Sequence, residues 1–428
     1  MPYESALQDS LRRLYSESSE FRISIEIIVK LAKSLSLDTF VDTEEFPGVT
    51  RLSIAGSLLL LEIDFEDDHT VSKVSLSLGN HPLETLAEEN SSAKISGNIV
   101  SETATSVSSK NGAKTVVLSF LPDLRASFLR TLQTQLGLGQ SSGSVAEEIL
   151  FASLEGPKLG SFPRNLEYLA DLDRVSPPEG DLIVYIENLA MYMSAIHHQE
   201  CILNPEDWQI ADGLTNSVGK VILNDKDQRH VGVFLQFWQD CRVLNHYLIQ
   251  DQRPQMGRKY SALLAIEESK SPAVDYVLDA KSKPWHILTS SGEKLPYFFG
   301  GETEFAHLHN HQSVTANSNW KLVLRFAEPI FFPETLLQYL GITDYECAKP
   351  LELNNMWNEI AETGELRFKN TALEYVFAFD EFAPHVNLLA VSLGNLHILA
   401  ELLPALRNQI TFMKIFESVA LDKNSEYV

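Results

Sequence analysis

Cysteines are scarce in this sequence, and no long apolar run occurs. Only three cysteines are found in 428 residues, Cys201, Cys241 and Cys347, and they lie far apart. An odd, sparse set does not build a disulfide framework, and no CxxC pair is present to hold zinc. Apolar runs such as residues 58–61 are far too short to cross a bilayer, and the first residues lack the features of a secretory signal. We therefore expect free thiols in a reducing compartment and no membrane contact.

Basic residues are also few. Lysine and arginine number 34 against 58 aspartates and glutamates, which gives a formal charge of -24. Such a chain repels phosphate backbones and has few groups that could displace their counterions. The sequence therefore argues against direct nucleic-acid binding. It also carries no lysine and arginine cluster of the kind that serves as a nuclear import signal.

The first part of the chain changes from a helical apolar period to a period of two. A helix is expected to begin near Ser24, whose hydroxyl can cap it, with Ile28 and Leu31 on one face. Apolar residues then alternate with acidic or polar ones over residues 59–66 and 74–78, on either side of a polar turn. This alternation predicts an antiparallel hairpin that packs on one side.

Later segments differ in composition and period, and the whole pattern predicts an α+β fold. Apolar residues recur three and four positions apart from Leu182 to Ile196, which indicates a helix buried on two sides. Short β-like runs dominate the middle of the chain. The expected organisation is an N-terminal domain of helices with an antiparallel hairpin (1–87), a flexible Ser-rich insertion (88–112), a helical block (113–200), a β-rich region (201–345) and a C-terminal helical region (346–428).

The C-terminal region predicts helices that meet at a proline. Pro384 suits the first turn of a helix, and Leu389, Leu393 and Leu396 lie on one helical face. Pro404 is expected to kink or restart the helix, after which the apolar stripe continues.

Two motifs could carry chemistry. Ser141 lies in a GxSxG pattern, but a nucleophile elbow needs a strand before it and a helix after it, and the surroundings here are rich in glycine and serine. Three histidines alternate in the segment Ala-His-Leu-His-Asn-His and could chelate a metal from one face of a strand, although a polar loop is the simpler interpretation. They are His307, His309 and His311. We expect no catalytic residue, no metal site and no cofactor.

One interaction motif is present, the LxxLL formed by Leu399, Leu402 and Leu403. On a helix these leucines form one apolar patch that can dock in the groove of a partner. They also continue the longer stripe of the C-terminal region, which favours a place in the core. The three leucines are therefore candidate partner-binding residues, with the core role as the favoured interpretation.

Four segments resemble the fungal form of subunit 1 of the Mediator complex. They are ISIEIIVKLAKSLSLDTF, VTRLSIAGSLLLLEIDFEDDHTVSKVSLSL, FPRNLEYLADLDRV and DLIVYIENLAMYMSAI. The first two follow the family pattern of an amphipathic helix, an Arg-Leu-Ser run, an aliphatic strand that ends in acidic residues and a returning strand. The last two resemble the helical pair that follows in the family.

The resemblance implies a nuclear, non-enzymatic subunit of the Mediator middle module without a cofactor. Such a subunit is a scaffold that links DNA-bound activators, indirectly, to RNA polymerase II, and neighbouring middle-module subunits hold it, subunits 4 and 9 foremost. Two alternatives come from other classes: an intracellular serine hydrolase that uses Ser141, and an unrelated cytoplasmic adaptor.

Overall fold

The computed structural model describes part of the chain, which divides into two compact units. The first unit contains residues up to Met191 together with Leu223–Gly232, and the second contains Tyr192–Ile222, Val233–Phe298 and the chain from Asn319 onward. The described residues are 20–43, 48–78, 145–176, 182–226, 228–240, 258–276, 283–289, 293–297, 319–349, 365–369, 374–378, 384–420 and 426–427.

Helices in the first unit accompany a four-stranded antiparallel sheet. Its strands follow chain order, β1-β2-β3-β4. The elements are α1 (Ile25–Ser34), β1 (Asp38–Asp42), β2 (Thr50–Ala55), β3 (Leu59–Phe65), β4 (Val71–Leu78), α2 (Val145–Ser153) and α3 (Phe162–Val175), followed by α4 (Leu182–Leu203), which continues into the second unit.

Helix α1 begins where the sequence predicts it. Ser24 is the N-cap residue, and its hydroxyl oxygen accepts a hydrogen bond from the Ile27 N–H. One face of α1, including Ile28 and Leu31, is buried. The cap therefore fixes the start of a helix whose apolar face contributes to the core.

The predicted hairpin is confirmed as β3 and β4, with the predicted face turned inward. Leu59, Leu61, Ile63 and Phe65 are buried, as are Val74 and Leu76 on the partner strand. The sequence analysis did not predict β1 and β2, which extend this hairpin into a four-stranded sheet. The burial of β1 does not alternate, so its sequence lacks the period of two that revealed β3.

The two edge strands of this sheet differ in their contacts. On β4, the backbone N–H of Leu76 donates to Glu147 Oε1 of α2 at 2.7 Å. Helix α2 therefore protects this edge by occupying a backbone donor. Strand β1 forms the opposite edge among the described strands.

The second unit contains most of a larger antiparallel sheet, with strand order β11-β14-β10-β7-β6-β5. The middle of the chain is rich in strands, as predicted. The elements are α5 (Trp208–Ala211), β5 (Lys220–Asp225), β6 (His230–Gln239), β7 (Lys259–Glu268), β8 (Trp285–Leu288), β9 (Lys294–Tyr297), β10 (Trp320–Pro333), α6 (Glu334–Tyr339), β11 (Tyr345–Cys347), β12 (Glu365–Lys369), β13 (Glu374–Ala378), β14 (His385–Leu393), a 3-10 turn (Leu396–Ile398), α7 (Leu399–Ala420) and β15 (Glu426–Tyr427).

The prediction of a helix from Pro384 is wrong, because residues 385–393 form strand β14. This strand lies between β10 and β11 and is buried over most of its length, so its apolar residues do not alternate. The C-terminal helix begins only after Asn395, whose side-chain oxygen accepts from the Ile398 N–H. Pro404 lies inside α7, which continues to Ala420 instead of restarting there.

Candidate partner-binding surfaces

The predicted chemical motifs fall outside the described residues. Ser141 and the histidines at positions 307, 309 and 311 all lie there, so neither the hydrolase hypothesis nor the metal hypothesis is tested by the structure. Within the described ranges, no group of three or more His, Cys, Asp or Glu side chains could hold a metal ion. No helix in those ranges is long and apolar enough to cross a membrane.

The LxxLL leucines lie in the core of the second unit. Leu399, Leu402 and Leu403 are completely buried on α7, and the same helix also buries Leu406 and Ile410. Helix α7 contacts β10 of the large sheet. Docking in a partner's groove would require these leucines to leave that core.

Next to these leucines, α7 carries a buried arginine that binds backbone rather than ligand. Arg407 donates through Nε to the Phe237 carbonyl at 2.8 Å, and one terminal nitrogen donates to the Gly213 carbonyl and to Asn216 Oδ1, both at 3.2 Å. Burial lowers the pKa of the guanidinium to about 10, although the charge of Glu200 acts in the opposite direction. The guanidinium therefore remains charged at neutral pH and ties α7 to two other segments.

Glu200 on α4 lies in the same polar network. One of its oxygens accepts from both the backbone N–H and the hydroxyl of Ser217, and that hydroxyl accepts from Trp285 Nε1 at 2.7 Å. The ring of Trp285 stacks on His397 with centroids 4.8 Å apart. Desolvation raises the pKa of the Glu200 carboxyl, against the opposing effects of Ser217 and the Arg407 charge. The network holds four segments of the second unit together.

Among the described residues, Cys201 and His197 on α4 bring a thiol next to an imidazole. The sulfur lies 3.6 Å from His197 Nε2, but that nitrogen also lies 2.8 Å from the Ile210 carbonyl, to which it donates as N–H. Burial raises the pKa of the Cys201 thiol and lowers the pKa of the His197 imidazole. A neutral thiol beside an imidazole already committed to a carbonyl is poorly suited to nucleophilic catalysis.

In the first unit, the carboxylate of Asp173 on α3 binds the turn between β2 and β3. Its carboxylate accepts backbone hydrogen bonds from Ser57 at 2.9 Å, Leu58 at 2.5 Å and Leu59 at 3.0 Å. The residue is only 6% exposed. Gly56 precedes these amides, and a Cβ there would lie 2.6 Å from the carboxylate carbon. This carboxylate therefore fastens the sheet to α3 and has a structural role.

Exposed apolar side chains mark one surface of the first unit, which we call the outer sheet face. Phe40 on β1 is 65% exposed and Leu60 on β3 is 39% exposed. Phe40 pairs with Ser53 and Leu60 with Ala55, and these two β2 residues are two positions apart. All four side chains therefore share one face, with small residues between two large apolar ones. The result is a partly exposed apolar patch.

A second surface lies on the second unit, where β6, β7 and α7 meet. Trp238 and Tyr260 pack edge to face with ring centroids 5.3 Å apart. Trp238 Nε1 donates to Thr411 Oγ1 of α7 at 3.0 Å. Arg258 and Lys414 both lie over the Tyr260 ring, at 5.7 and 5.9 Å from its centroid. We call these four residues, Trp238, Tyr260, Arg258 and Lys414, the aromatic–cation cluster.

The chain also matches a known protein family. The family model described as Mediator of RNA polymerase II transcription subunit 1 matches residues 8–420, nearly the whole chain. The chain belongs to this family. No curated protein matches the sequence.

Membership of the Mediator subunit 1 family establishes the general function. The chain is a Mediator subunit that acts as a coactivator in the regulation of RNA polymerase II transcription, in a family that is nuclear and non-catalytic. Its association is with other Mediator subunits. The functional groups of such a protein are the surfaces it presents to partners.

Neither candidate surface of this Mediator subunit is evident from its local sequence. Phe40 was noted only as part of the family pattern, and nothing in the local sequence showed that it would lie on an outer face. Trp238 and Tyr260 face α7 only because the strands and the helix come together from distant parts of the chain. An edge strand with two acidic residues flanking an aromatic one, as in β1, is the signal that could have revealed the outer sheet face.

Proposed function

We propose that this Mediator subunit is a non-catalytic scaffold of the middle module, which links DNA-bound activators indirectly to RNA polymerase II. The outer sheet face is the observation that carries the proposal. The charged side chains buried among the described residues, Asp173, Glu200 and Arg407, each bind backbone or neighbouring side chains and so have structural roles. These buried groups are used within the fold, so partners would bind its exposed surface.

The outer sheet face has the composition expected of a protein interface. Single exposed apolar residues are normal on a soluble protein, but here an aromatic and a leucine flank two small residues on one face. Large aromatic anchors contribute most of the binding energy at many interfaces. A partner side chain that enters between Phe40 and Leu60 would remove both from water.

The charges on the outer sheet face indicate what kind of partner segment would bind there. Asp38 and Asp42 flank Phe40 on the same face of β1, because alternate strand residues share a face. Arg51 is already engaged with Asp64 through two hydrogen bonds of 2.7 and 3.1 Å. We infer that the partner segment is apolar with basic flanks. Subunits 4 and 9 of the middle module are the partners we propose to test first.

The test is affinity purification of the tagged full chain from cells, followed by mass spectrometry of the associated proteins. Wild-type protein should recover Mediator subunits, including subunits 4 and 9. Phe40→Asp combined with Leu60→Asp should reduce that recovery at least tenfold, since a buried carboxylate without a partner is strongly unfavourable. The matched control is Val274→Asp combined with Tyr339→Asp, which places the same two charges at exposed apolar positions of the second unit.

Three results would contradict the proposal. If the double variant is folded and recovers Mediator subunits as well as the control does, the outer sheet face is not the scaffold contact. If wild-type protein recovers Mediator but chemical crosslinks lead only to subunits of other modules, the placement in the middle module is wrong. A serine-directed activity probe that labels the purified protein at Ser141 would contradict the non-catalytic role.

A further inference from the structure

The aromatic–cation cluster combines features that binding sites for acidic segments need. Two cations approach the ring of Tyr260, and Trp238 packs against that ring edge to face. Cations are attracted to the electron-rich face of an aromatic ring, and both Arg258 and Lys414 lie within 6 Å of the Tyr260 ring centroid. Two positive charges are therefore concentrated beside a large apolar surface.

Helix α7 extends the apolar part of this surface. Thr411 and Ile415 lie one helical turn apart and therefore on the same side of α7. The Thr411 hydroxyl accepts from Trp238, which places this side of the helix against the cluster. Ile415 is 53% exposed. The surface thus offers an aliphatic side chain and two aromatic rings next to the cations.

This local charge contrasts with the rest of the chain. The protein as a whole carries a formal charge of -24, whereas this cluster contains two cationic side chains. Arg258 forms an ion pair with Glu328, and both side chains are about half exposed. A guanidinium has five N–H donors, so Arg258 can bind another carboxylate without giving up Glu328.

We propose that the aromatic–cation cluster binds a linear segment of another protein that carries acidic residues next to an aromatic or aliphatic one. The carboxylates of that segment bind Arg258 and Lys414, and its apolar side chain packs between Trp238 and Ile415. Complementary charge favours this partner over a basic one, and the strongly negative chain disfavours a nucleic acid. The inference does not depend on which Mediator module contains the protein.

Fluorescence anisotropy of a labelled synthetic peptide tests the site on the purified full chain. The probe is a 15-residue peptide of aspartate and glutamate with two phenylalanines, and a second probe has serine in place of each phenylalanine. We expect the first peptide to bind more tightly than the second, and its affinity to fall as salt is raised. Single-stranded oligouridine of similar length serves as a nucleic-acid probe.

Charge reversal locates the site. Lys414→Glu should weaken binding of the phenylalanine peptide roughly tenfold, since it replaces an attraction with a repulsion. Lys259→Glu is the matched control: it makes the same change in net charge, but Lys259 adjoins Tyr260 along β7 and points to the opposite sheet face. Ile415→Ser should weaken the phenylalanine peptide and leave the serine peptide unaffected. Circular dichroism confirms that each variant is folded.

Three outcomes would overturn the proposal. Equal weakening by Lys414→Glu and Lys259→Glu would show only long-range attraction to the overall charge. Tighter binding of oligouridine than of the phenylalanine peptide would identify the surface as a nucleic-acid site. Failure of both peptides to bind folded wild-type protein would leave the cluster as an internal packing feature, whatever the purification of Mediator subunits shows.

Discussion

Removing the Asp173 carboxylate tests how the first unit is held together. The carboxylate accepts three backbone hydrogen bonds, from Ser57, Leu58 and Leu59, at 2.5 to 3.0 Å, and it is nearly inaccessible to water. Hydrogen bonds to a charged group contribute roughly 1.5 to 3 kcal/mol each, and donors left buried without an acceptor add a desolvation cost. Because such effects are not additive, we expect Asp173→Ala to lower the free energy of unfolding by about 3 to 5 kcal/mol.

Asp173→Asn distinguishes the hydrogen bonds from the packing. The amide has the shape of the carboxylate, and its oxygen can still accept from Leu58 and Leu59, which share one carboxylate oxygen. Its NH2 group would face the Ser57 N–H, so two donors would meet. We expect this variant to lose about 1 to 2 kcal/mol, less than the alanine variant.

Two measurements together locate the effect. Hydrogen exchange followed by mass spectrometry should show faster exchange at the amides of residues 57–59 in both variants. The four tryptophans among the described residues belong to the second unit, so tryptophan fluorescence during urea unfolding reports mainly on that unit, whereas far-ultraviolet circular dichroism reports on both. The dichroism transition should shift more than the fluorescence transition.

Asp171→Ala is the matched control, since it removes the same charge from the same helix. Asp171 forms a partly exposed pair with Arg174 at 2.7 Å, and such pairs contribute roughly 0 to 1 kcal/mol. If Asp173→Ala unfolds at the same urea concentration as Asp171→Ala and leaves exchange at residues 57–59 unchanged, the reasoning is refuted.

Three further changes have predictable outcomes. Gly56→Ala should lower the free energy of unfolding, measured with urea, by about 1 to 3 kcal/mol, because the new Cβ would displace the Asp173 carboxylate. The double variant with Asp173→Ala should lose less than the sum of the two single losses. Leu402→Ala with Leu403→Ala should lower the melting temperature, since buried leucine truncations cost about 2 to 5 kcal/mol each. Burial raises the pKa of Glu200, so Glu200→Gln should gain stability relative to wild type as pH rises.

The sign of the pH effect follows from proton binding. A carboxyl whose pKa is raised in the folded state favours folding most below its unfolded pKa of about 4.3, and this contribution is lost as pH rises through the folded value. We therefore expect the free energies of unfolding of wild type and Glu200→Gln, measured between about pH 4 and pH 7, to be most alike at the acidic end. If wild-type protein instead becomes more stable relative to Glu200→Gln as pH rises toward neutral, the assignment is contradicted.

Each grouped prediction has a control on the chain. Gly394→Ala adds a Cβ where nothing lies within 4 Å, and Ile415→Ala truncates an exposed residue on the same helix as the leucines. Glu401→Gln removes the charge of an exposed glutamate. If the double leucine variant melts like wild type but loses an activator in affinity purification, the LxxLL motif is a docking site after all.

An element could be predicted from the local sequence where its hydrophobic pattern has a single cause. The strand β3 alternates because one face is buried, and the stripe of α4 is wide because neighbours cover most of it, so both were predicted. The error at β14 has a physical origin: a strand buried on both faces shows no period of two, and Leu389 and Leu393 happened to fall four residues apart. Gly394 and Asn395 were the better signal, because they end the strand and cap the helical segment that follows.

Long-range polar contacts could not be predicted from the sequence. Asp173 lies 114 to 116 positions from the amides it accepts, and Arg407 lies 170 positions from the Phe237 carbonyl. A charged residue in an amphipathic helix reads as solvent-facing until the tertiary fold shows what surrounds it. The candidate surfaces are subject to the same limit, since Trp238 meets Thr411 across 173 positions.

The two proposed surfaces differ in charge, and this difference constrains what a scaffold can hold. Phe40 on the first unit is flanked by Asp38 and Asp42, whereas Tyr260 on the second unit lies under Arg258 and Lys414. A segment suited to one surface is therefore repelled by the other, because like charges brought together at an interface are unfavourable. Each unit can thus select a different partner without competition. The charge-reversed Lys414→Glu chain should accordingly retain the Mediator subunits bound through the outer sheet face while it loses the acidic peptide.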